Sequence, residues 1–276
     1  MKVKFGAIDF ALPGKRVGNI KLAHELGLEG LQIIYLTPED ESFMLDYRWC
    51  REYYMEMGER YHIRFPSTNV SDFDRVGMVH PRNTEKGKYV YDTIDRTLDM
   101  AAAMKMDMVL YPSFMDGEIQ TEEDLIVTAE ALRYACKEAQ KHKITVTSEN
   151  TLPKDRIRKL AELVNCPNFK VSYDTQNYWR VAKLDQVDIL DFLQKSDLLY
   201  PEVHVKDGMD ACISSKLIGE GNANVLGSLQ YLKNTGYEGW LHFENYYWKR
   251  PLCDESDDVF QLLKRDVSIL KNCWRT

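Results

Sequence analysis

Short apolar runs alternate with segments of helical periodicity from one end of the sequence to the other. Between the runs, apolar residues recur at helical spacing, as at Leu125, Ala129, Leu132 and Cys136, which is typical of a helix with one buried face. The runs predict eight strands, at residues 4–8, 31–35, 62–67, 107–111, 144–149, 169–174, 199–204 and 239–244. Strands that alternate with helices predict an α/β fold with a parallel sheet.

Eight strand-helix units predict a closed (β/α)8 barrel, or TIM barrel, with a helix after each strand. The length of 276 residues lies within the usual range for this barrel. No linker, low-complexity tract or block of like charge divides the sequence, so we expect a single domain over residues 1–276. A doubly wound open sheet is the alternative architecture.

Three residue types mark predicted helix boundaries. Gly27 follows the apolar stripe of the first helix and is expected to end it. Thr121, with Asp124 three residues later, predicts a capping box at the start of a helix. Pro153 is expected at the first helical position after the fifth strand.

Polar residues occupy alternate positions in each of the last four predicted strands. Because successive side chains of a strand point to opposite faces, the apolar members should pack under helices and the polar members should face the barrel axis. Parallel strands buried on both faces are usually continuous runs of apolar residues, so these polar sets need an explanation. The sets are Thr145, Thr147 and Glu149; Lys170, Ser172 and Asp174; Glu202, His204 and Lys206; and His242 and Glu244.

Glu149, Asp174, His204 and Glu244 fall near the carboxyl ends of these strands, where barrel enzymes place their active sites. Three carboxylates on one rim repel each other and are costly to bury, and a divalent cation would remove that repulsion. Oxygen ligands with one imidazole suit Mn²⁺ or Mg²⁺, while Co²⁺ or Zn²⁺ are possible. In the alternative, Asp174 and Glu244 cap the following helices and Glu149 pairs with Lys206.

Five motifs in the second half of the sequence resemble those of the sugar isomerase/epimerase superfamily, the xylose-isomerase-like TIM barrels. The resemblance is detailed over about residues 144–245, whereas the first half agrees only in its alternation of strands and helices. The motifs are Ser-Glu149-Asn, Tyr-Asp174-Thr-Gln-Asn177, His204-Val-Lys206-Asp207, Gly219-Glu-Gly221 and Phe-Glu244-Asn.

The resemblance implies that Glu149, Asp174, His204 and Glu244 hold one divalent metal ion. It also implies isomerisation or epimerisation of a small sugar or sugar phosphate, with Glu149 and Glu244 as the acid/base pair. One glutamate would remove a proton next to a carbonyl, and the other would return it to the resulting enediolate. Dehydration of a keto-inositol or keto-sugar in the same site is an alternative that the sequence does not separate from epimerisation.

The same comparison suggests further site residues. Asn177 stands where many relatives have histidine, and it can hydrogen-bond a substrate hydroxyl but cannot transfer a proton near neutral pH. Lys206 and Lys216 are candidates for binding substrate oxygens, with structural pairing and a solvated surface position as the respective alternatives. Trp248 lies on the loop after the last strand, where aromatic residues line sugar sites or subunit interfaces. Asp207 could brace the region of His204.

Composition limits the other function classes. The net charge of −7 disfavours binding to nucleic acid, which depends on neutralising phosphates. Nucleases of the endonuclease IV group share this barrel but bind three zinc ions through several histidines. Of the six histidines here, His204 and His242 are the ones suitably placed as ligands. A non-catalytic sugar or metal binder is a third class, and retention of both glutamates argues against it.

The cysteines and the apolar segments suggest a cytoplasmic protein. The six cysteines are at least 20 residues apart, so no CxxC motif is present and reduced thiols are expected. The N-terminal apolar run is too short for a signal peptide, and no run reaches the ~18 residues of a membrane span. We therefore expect a small-molecule substrate and no membrane or nucleic-acid partner, and a homodimer is compatible with the sequence.

Overall fold

The computed structural model describes residues 3–14, 16–35 and 44–275. Its strands pair in chain order, and β1 also pairs with β8, so the sheet is a closed barrel. This confirms the predicted (β/α)8 barrel and excludes the open sheet, because an open sheet would leave β1 and β8 apart. The strands are β1 (Lys4–Ile8), β2 (Gly30–Ile34), β3 (Ser67–Asn69), β4 (Met108–Pro112), β5 (Thr145–Glu149), β6 (Phe169–Asp174), β7 (Leu199–Val205) and β8 (Trp240–Phe243).

Helices follow the strands along the chain, and β6 is followed by two. No helix in the described part of the chain is long and apolar enough to cross a membrane. The helices are α1 (Gly18–Glu25), α2 (Arg48–Tyr61), α3 (Glu85–Ala103), α4 (Glu122–Gln140), α5 (Lys154–Val164), α6 (Asn177–Ala182), α7 (Gln186–Lys195), α8 (Val225–Asn234) and α9 (Val259–Arg275).

The third strand differs from its prediction, which covered residues 62–67. His62 has a φ of 56°, and the Ile63 N–H donates to the carbonyl of Gly58, so these residues end α2. Pro66 has no N–H to donate to a ladder, and its carbonyl instead accepts from the N–H of Asp107. The strand therefore begins one residue later, at Ser67.

The predicted helix boundaries are confirmed at two of three positions. Gly27, with a φ of 66°, follows the end of α1, and Thr121 forms a reciprocal capping box with Asp124 before α4. Pro153 was placed one residue too far into its helix. It is the extended residue before α5, and its carbonyl accepts from the N–H of Ile157.

The chain divides into two compact units, whose boundaries lie within β2, α2 and β6 and just before β3. One comprises Met1–Gln32, Met57–Arg64 and Tyr173–Thr276, and the other comprises Ile33–Glu56 and Phe65–Ser172.

In the first unit, the interior polar residues form paired contacts. Glu202 Oε1 accepts a hydrogen bond from Gln32 Nε2 at 2.6 Å and lies 3.1 Å from His242 Nδ1, and all three side chains are buried. A Cβ on Gly6 would lie 2.4 Å from the His242 ring, so the glycine makes room for the histidine. Glu202 and His242 were predicted to face the barrel axis, and their contact with each other is consistent with that orientation. They form a buried polar layer below His204 and Glu244, which follow them by two residues in the sequence.

In the second unit, the inward polar residues of the strands also hydrogen-bond each other. Ser172 Oγ donates to Thr147 Oγ1 at 2.8 Å, and Thr147 Oγ1 lies 3.2 Å from Met108 Sδ. Buried hydroxyls of this kind are tolerated because they find partners.

Candidate metal centre

Asp174 ends β6 and uses its two carboxylate oxygens differently. Oδ1 accepts the backbone N–H groups of Gln176 and Asn177 at 2.8 and 2.6 Å, at the start of α6. Oδ2 is buried and faces the Lys206 ammonium at 3.1 Å. The first oxygen therefore fixes the orientation of the carboxylate, and the second is directed to a cationic group.

The end of β7 is held beside the end of β6 by Thr175. Its backbone N–H donates to the carbonyl of His204 at 3.0 Å, and its Oγ1 donates to the carbonyl of Lys206 at 2.8 Å. The Lys206 N–H lies 3.1 Å from the same hydroxyl. These contacts fix the backbone from which the buried side chains of His204 and Lys206 project.

Four side chains at the ends of β6, β7 and β8 form a buried cluster, which we call the rim cluster: Asp174, His204, Lys206 and Glu244. The Lys206 ammonium lies 3.1 Å from Asp174 Oδ2 and 2.7 Å from Glu244 Oε1. His204 Nδ1 lies 3.3 Å from Glu244 Oε2. The sequence allows two roles for Lys206, contact with substrate and structural pairing. The structure shows pairing, with the carboxylates of Asp174 and Glu244 as partners.

Glu149 is the last residue of β5, and its side chain is buried. Its carbonyl accepts from the N–H of Ser113 at 2.9 Å. One potential ligand atom from each of Glu149, Asp174, His204 and Glu244 lies within 4.8 Å of the others. The structure therefore brings together the four side chains that the sequence singled out, and their role as ligands remains a prediction.

The charges of this group suit a divalent cation. With the imidazole neutral, three carboxylates and one ammonium carry a net charge of −2, which one dication would neutralise. The pKa of Asp174 is raised to about 6, mainly by burial and also by the nearby Glu244 carboxylate, against the opposing effect of Lys206. Three carboxylates and one imidazole are also a donor set that Mn²⁺, Mg²⁺, Co²⁺ or Zn²⁺ accept.

Asp207 organises the loop that follows β7. Its Oδ1 accepts the N–H of Gly208 at 2.8 Å, and its Oδ2 accepts those of Gly219 and Gly221 at 2.8 and 3.1 Å. A Cβ on Gly221 would lie 2.1 Å from Asp207 Oδ1, so the Gly-Glu-Gly motif lets the backbone approach closely. In the part of the chain that the structure describes, these contacts go to the loop and none goes to His204.

A buried network behind Glu244 was not predicted. Asn245 Oδ1 accepts the N–H of Asp207 at 3.1 Å, and Asn245 Nδ2 donates to Asp266 Oδ2 at 2.8 Å. Asp266, on α9, also accepts the Tyr247 hydroxyl at 2.7 Å and the Ile218 N–H at 2.8 Å. The pKa of Asp266 is raised to about 6, because the effect of burial exceeds the opposing effect of these donors.

A signal for this network was present in the sequence. Asp266 follows Leu263 by three residues and directly precedes Val267, so it falls on the apolar stripe of the closing helix. A carboxylate on a buried helix face needs donors, and this requirement could have identified it.

The three remaining predicted substrate residues lie in different surroundings. Asn177 is buried at the start of α6 beside Asp174. The Lys216 ammonium lies 2.9 Å from Glu255 Oε1 in a partly exposed ion pair. Trp248 is 45% exposed, and its Nε1 donates to the carbonyl of Phe10 at 2.7 Å. Contact with substrate remains a prediction for all three.

Known proteins resemble this chain in sequence and in fold. The 2-epi-5-epi-valiolone 7-phosphate 2-epimerase of Actinoplanes sp. is 25% identical over 239 residues, which are 85% of this chain and 84% of that protein. D-allulose 3-epimerase from Methylomonas sp. has a TM-score of 0.75 at 14% identity, with 99% of this chain and 98% of that chain covered. An AP endonuclease, family 2, from Brucella melitensis has a TM-score of 0.66 at 19% identity, with 88% and 93% covered.

At such low identity the two structural similarities show a shared fold and do not choose between an epimerase and a nuclease. The family comparison reaches further, because the model for xylose isomerase-like TIM barrels matches residues 20–270. The match spans nearly the whole sequence, and the chain therefore belongs to the xylose isomerase-like TIM barrel family.

Proposed function

We propose that this protein is a metal-dependent isomerase or epimerase that acts on a small sugar or sugar phosphate. The observation that carries the proposal is the buried grouping of Glu149, Asp174, His204 and Glu244 within 4.8 Å. The Actinoplanes relative, which by its name is an epimerase of a phosphorylated compound, supports both the reaction class and a phosphorylated substrate.

The four grouped residues would hold one divalent cation, with Mn²⁺ or Mg²⁺ best suited to the oxygen-rich donor set. When bound, the cation would supply positive charge for the oxygen that becomes negative as a proton leaves the neighbouring carbon. Asp174 is oriented for this role by the two amides at the start of α6. Asn177, next to it, would donate a hydrogen bond to a substrate hydroxyl.

Glu149 and Glu244 would carry out the proton transfers. A carbon next to a carbonyl is a weak acid, so its proton must be taken by a well-placed base, and epimerisation requires return of a proton to the opposite face. One glutamate would remove the proton to give the enediolate, and the other would return it. Lys206, at 2.7 Å from Glu244 Oε1, would hold that carboxylate in a fixed position.

Incorporation of solvent deuterium tests this proposal without knowledge of the true product. The protein, supplied with Mn²⁺, is incubated in D₂O with a panel of ketoses and ketose phosphates, and exchange is followed by NMR. We expect deuterium at the carbon next to the carbonyl, and we expect Glu149→Gln and Glu244→Gln each to slow exchange by ~10²-fold or more.

Glu25→Gln is the control, because Glu25 pairs with Lys21 at an exposed position on α1. Exchange that continues at the normal rate in both glutamine variants would disprove the two-base mechanism. Loss of a hydroxyl from a deuterated substrate would instead identify the dehydratase that the sequence left as an alternative.

A further inference from the structure

A lysine lies inside the rim cluster, between two of the proposed metal ligands. Lys206 is 1% exposed, and its ammonium contacts Asp174 Oδ2 at 3.1 Å and Glu244 Oε1 at 2.7 Å. Burial of an ammonium is unfavourable unless it is paired, and these two carboxylates pair with it. The groups that would bind the cation are therefore the groups that neutralise the lysine.

The backbone keeps this arrangement in place. The N–H and carbonyl of Lys206 both interact with the Thr175 hydroxyl, one residue after Asp174. Asp174 is itself held through Oδ1 by the amides of α6. Because the backbone of residue 206 is fixed beside Asp174, any displacement of the Lys206 ammonium by a metal ion would have to come from the side chain.

We propose that Lys206 is a resident counter-cation that shares Asp174 and Glu244 with the metal ion and lowers the metal affinity. The proposal rests on the proposed function, because it takes these residues as ligands. Without metal, Lys206 stabilises the buried carboxylates. With metal, its positive charge repels the incoming dication and reduces the negative charge that attracts it.

The proposal predicts opposite effects of one substitution on two measurements. Lys206→Met has a side chain of similar length without charge, so the site gains one unit of negative charge. We expect the variant to bind Mn²⁺ at least ~10-fold more tightly, as measured by calorimetry. The repulsion between a unit positive charge and a dication ~4 Å apart is larger than the free energy of a tenfold change in affinity, even with the screening of bulk water. We also expect the metal-free variant to melt at a lower temperature, because two buried carboxylates lose their partner.

Lys195→Met is the matched control. Lys195 forms an exposed ion pair with Asp191 at 2.9 Å on α7, so this variant loses the same charge away from the cluster. It should bind Mn²⁺ as the unaltered protein does. Lys206→Arg keeps the charge, so its Mn²⁺ affinity should be closer to that of the unaltered protein than the affinity of Lys206→Met is. If Lys206→Met does not fold, Lys206→Gln takes its place.

The outcomes separate the two proposals. Equal or weaker Mn²⁺ binding by the neutral variants, with normal binding by the unaltered protein, would overturn the role of Lys206 and leave the metal site intact. Failure of the unaltered protein itself to bind Mn²⁺ or any of the other three dications would overturn both proposals.

Discussion

The two oxygens of Asp174 have different partners. Oδ1 accepts two amides at the start of α6, as the helix-capping alternative predicted, while Oδ2 faces the Lys206 ammonium. The sequence placed a carboxylate at the end of β6 because alternation fixes which residues share a face. The sequence could not predict which partner each oxygen has, because that depends on the backbone conformation of residues 175–177.

A second carboxyl group at a strand end, that of Asp9, predicts how the stability of the protein depends on pH. Asp9 directly follows β1, and burial raises its pKa to about 6 from 3.8, although Asn19 Nδ2, at 2.6 Å, and Arg16 lower it. The folded state therefore binds a proton more tightly than the unfolded state, so stability falls as pH rises from about 4 to about 6. Asp9→Asn removes the charge and keeps an acceptor for Asn19.

We expect the free energy of unfolding of Asp9→Asn to match that of the unaltered protein near pH 4. Above pH 6 the variant should be more stable, by up to ~3 kcal/mol if the whole shift is realised. Urea unfolding between pH 4 and pH 8 measures this difference, with Asp257→Asn at an exposed position as the control. A difference that does not change with pH would contradict the assignment.

At the scale of elements, the loop after β7 and the helix α9 are joined by Asp266. The apolar stripe of α9 predicted the helix and its buried face. It did not predict that Asp266 would accept hydrogen bonds from Ile218, Asn245 and Tyr247, because these donors come from loops whose course the sequence pattern does not define. The position of Asn245, the residue after Glu244, thus depends on a helical residue 21 positions later in the sequence.

Asp266→Asn tests this connection. An asparagine presents one acceptor oxygen and one donor group to three donors, so at least one buried partner loses its hydrogen bond at a cost of ~1–3 kcal/mol. We expect faster hydrogen exchange at the amides of Ile218, Gly219 and Gly221 and a lower melting temperature.

Lys264→Gln is the neighbouring control, because Lys264 lies on the exposed face of α9. Unchanged exchange at all three amides in Asp266→Asn would show that the loop is held independently of α9.

Strand prediction succeeded where alternation and composition agreed. β6 has the predicted bounds, and the carboxyl ends of β5 and β8 fall within one residue of theirs. The prediction of the third strand was wrong because the apolar residues Ile63 and Phe65, just before Pro66, favour a strand, whereas Pro66 has no N–H to donate to one. Elements with such a conflict need the structure.

At the scale of the whole molecule, closure of the barrel joins β1 to β8. The local pattern of β1 would be the same at the edge of an open sheet, so closure could be expected only from the count of eight strands. The contact itself shows in Gly6, whose missing side chain accommodates the ring of His242 on β8. The single-domain organisation and the absence of nucleic-acid partners remain predictions.

The site follows from the barrel more directly than the substrate does. Parallel strands in a closed barrel present their carboxyl ends on one rim, so polar residues there could be grouped from sequence alone. The loop residues Lys216 and Trp248 were predicted to contact substrate, and the structure directs both side chains to protein partners, Glu255 and the carbonyl of Phe10.

The most direct test of the account is the number of dications that the protein binds. The protein is stripped with a chelator, dialysed against Mn²⁺ and analysed for metal, alongside Asp174→Asn and Glu244→Gln. We predict about one tightly held ion per chain, and a loss of affinity of at least ~10–100-fold in each variant, the range seen even for residues one contact removed from a metal. The metal centre would be contradicted if the unaltered protein bound no ion, or if both variants bound Mn²⁺ as tightly as the unaltered protein does.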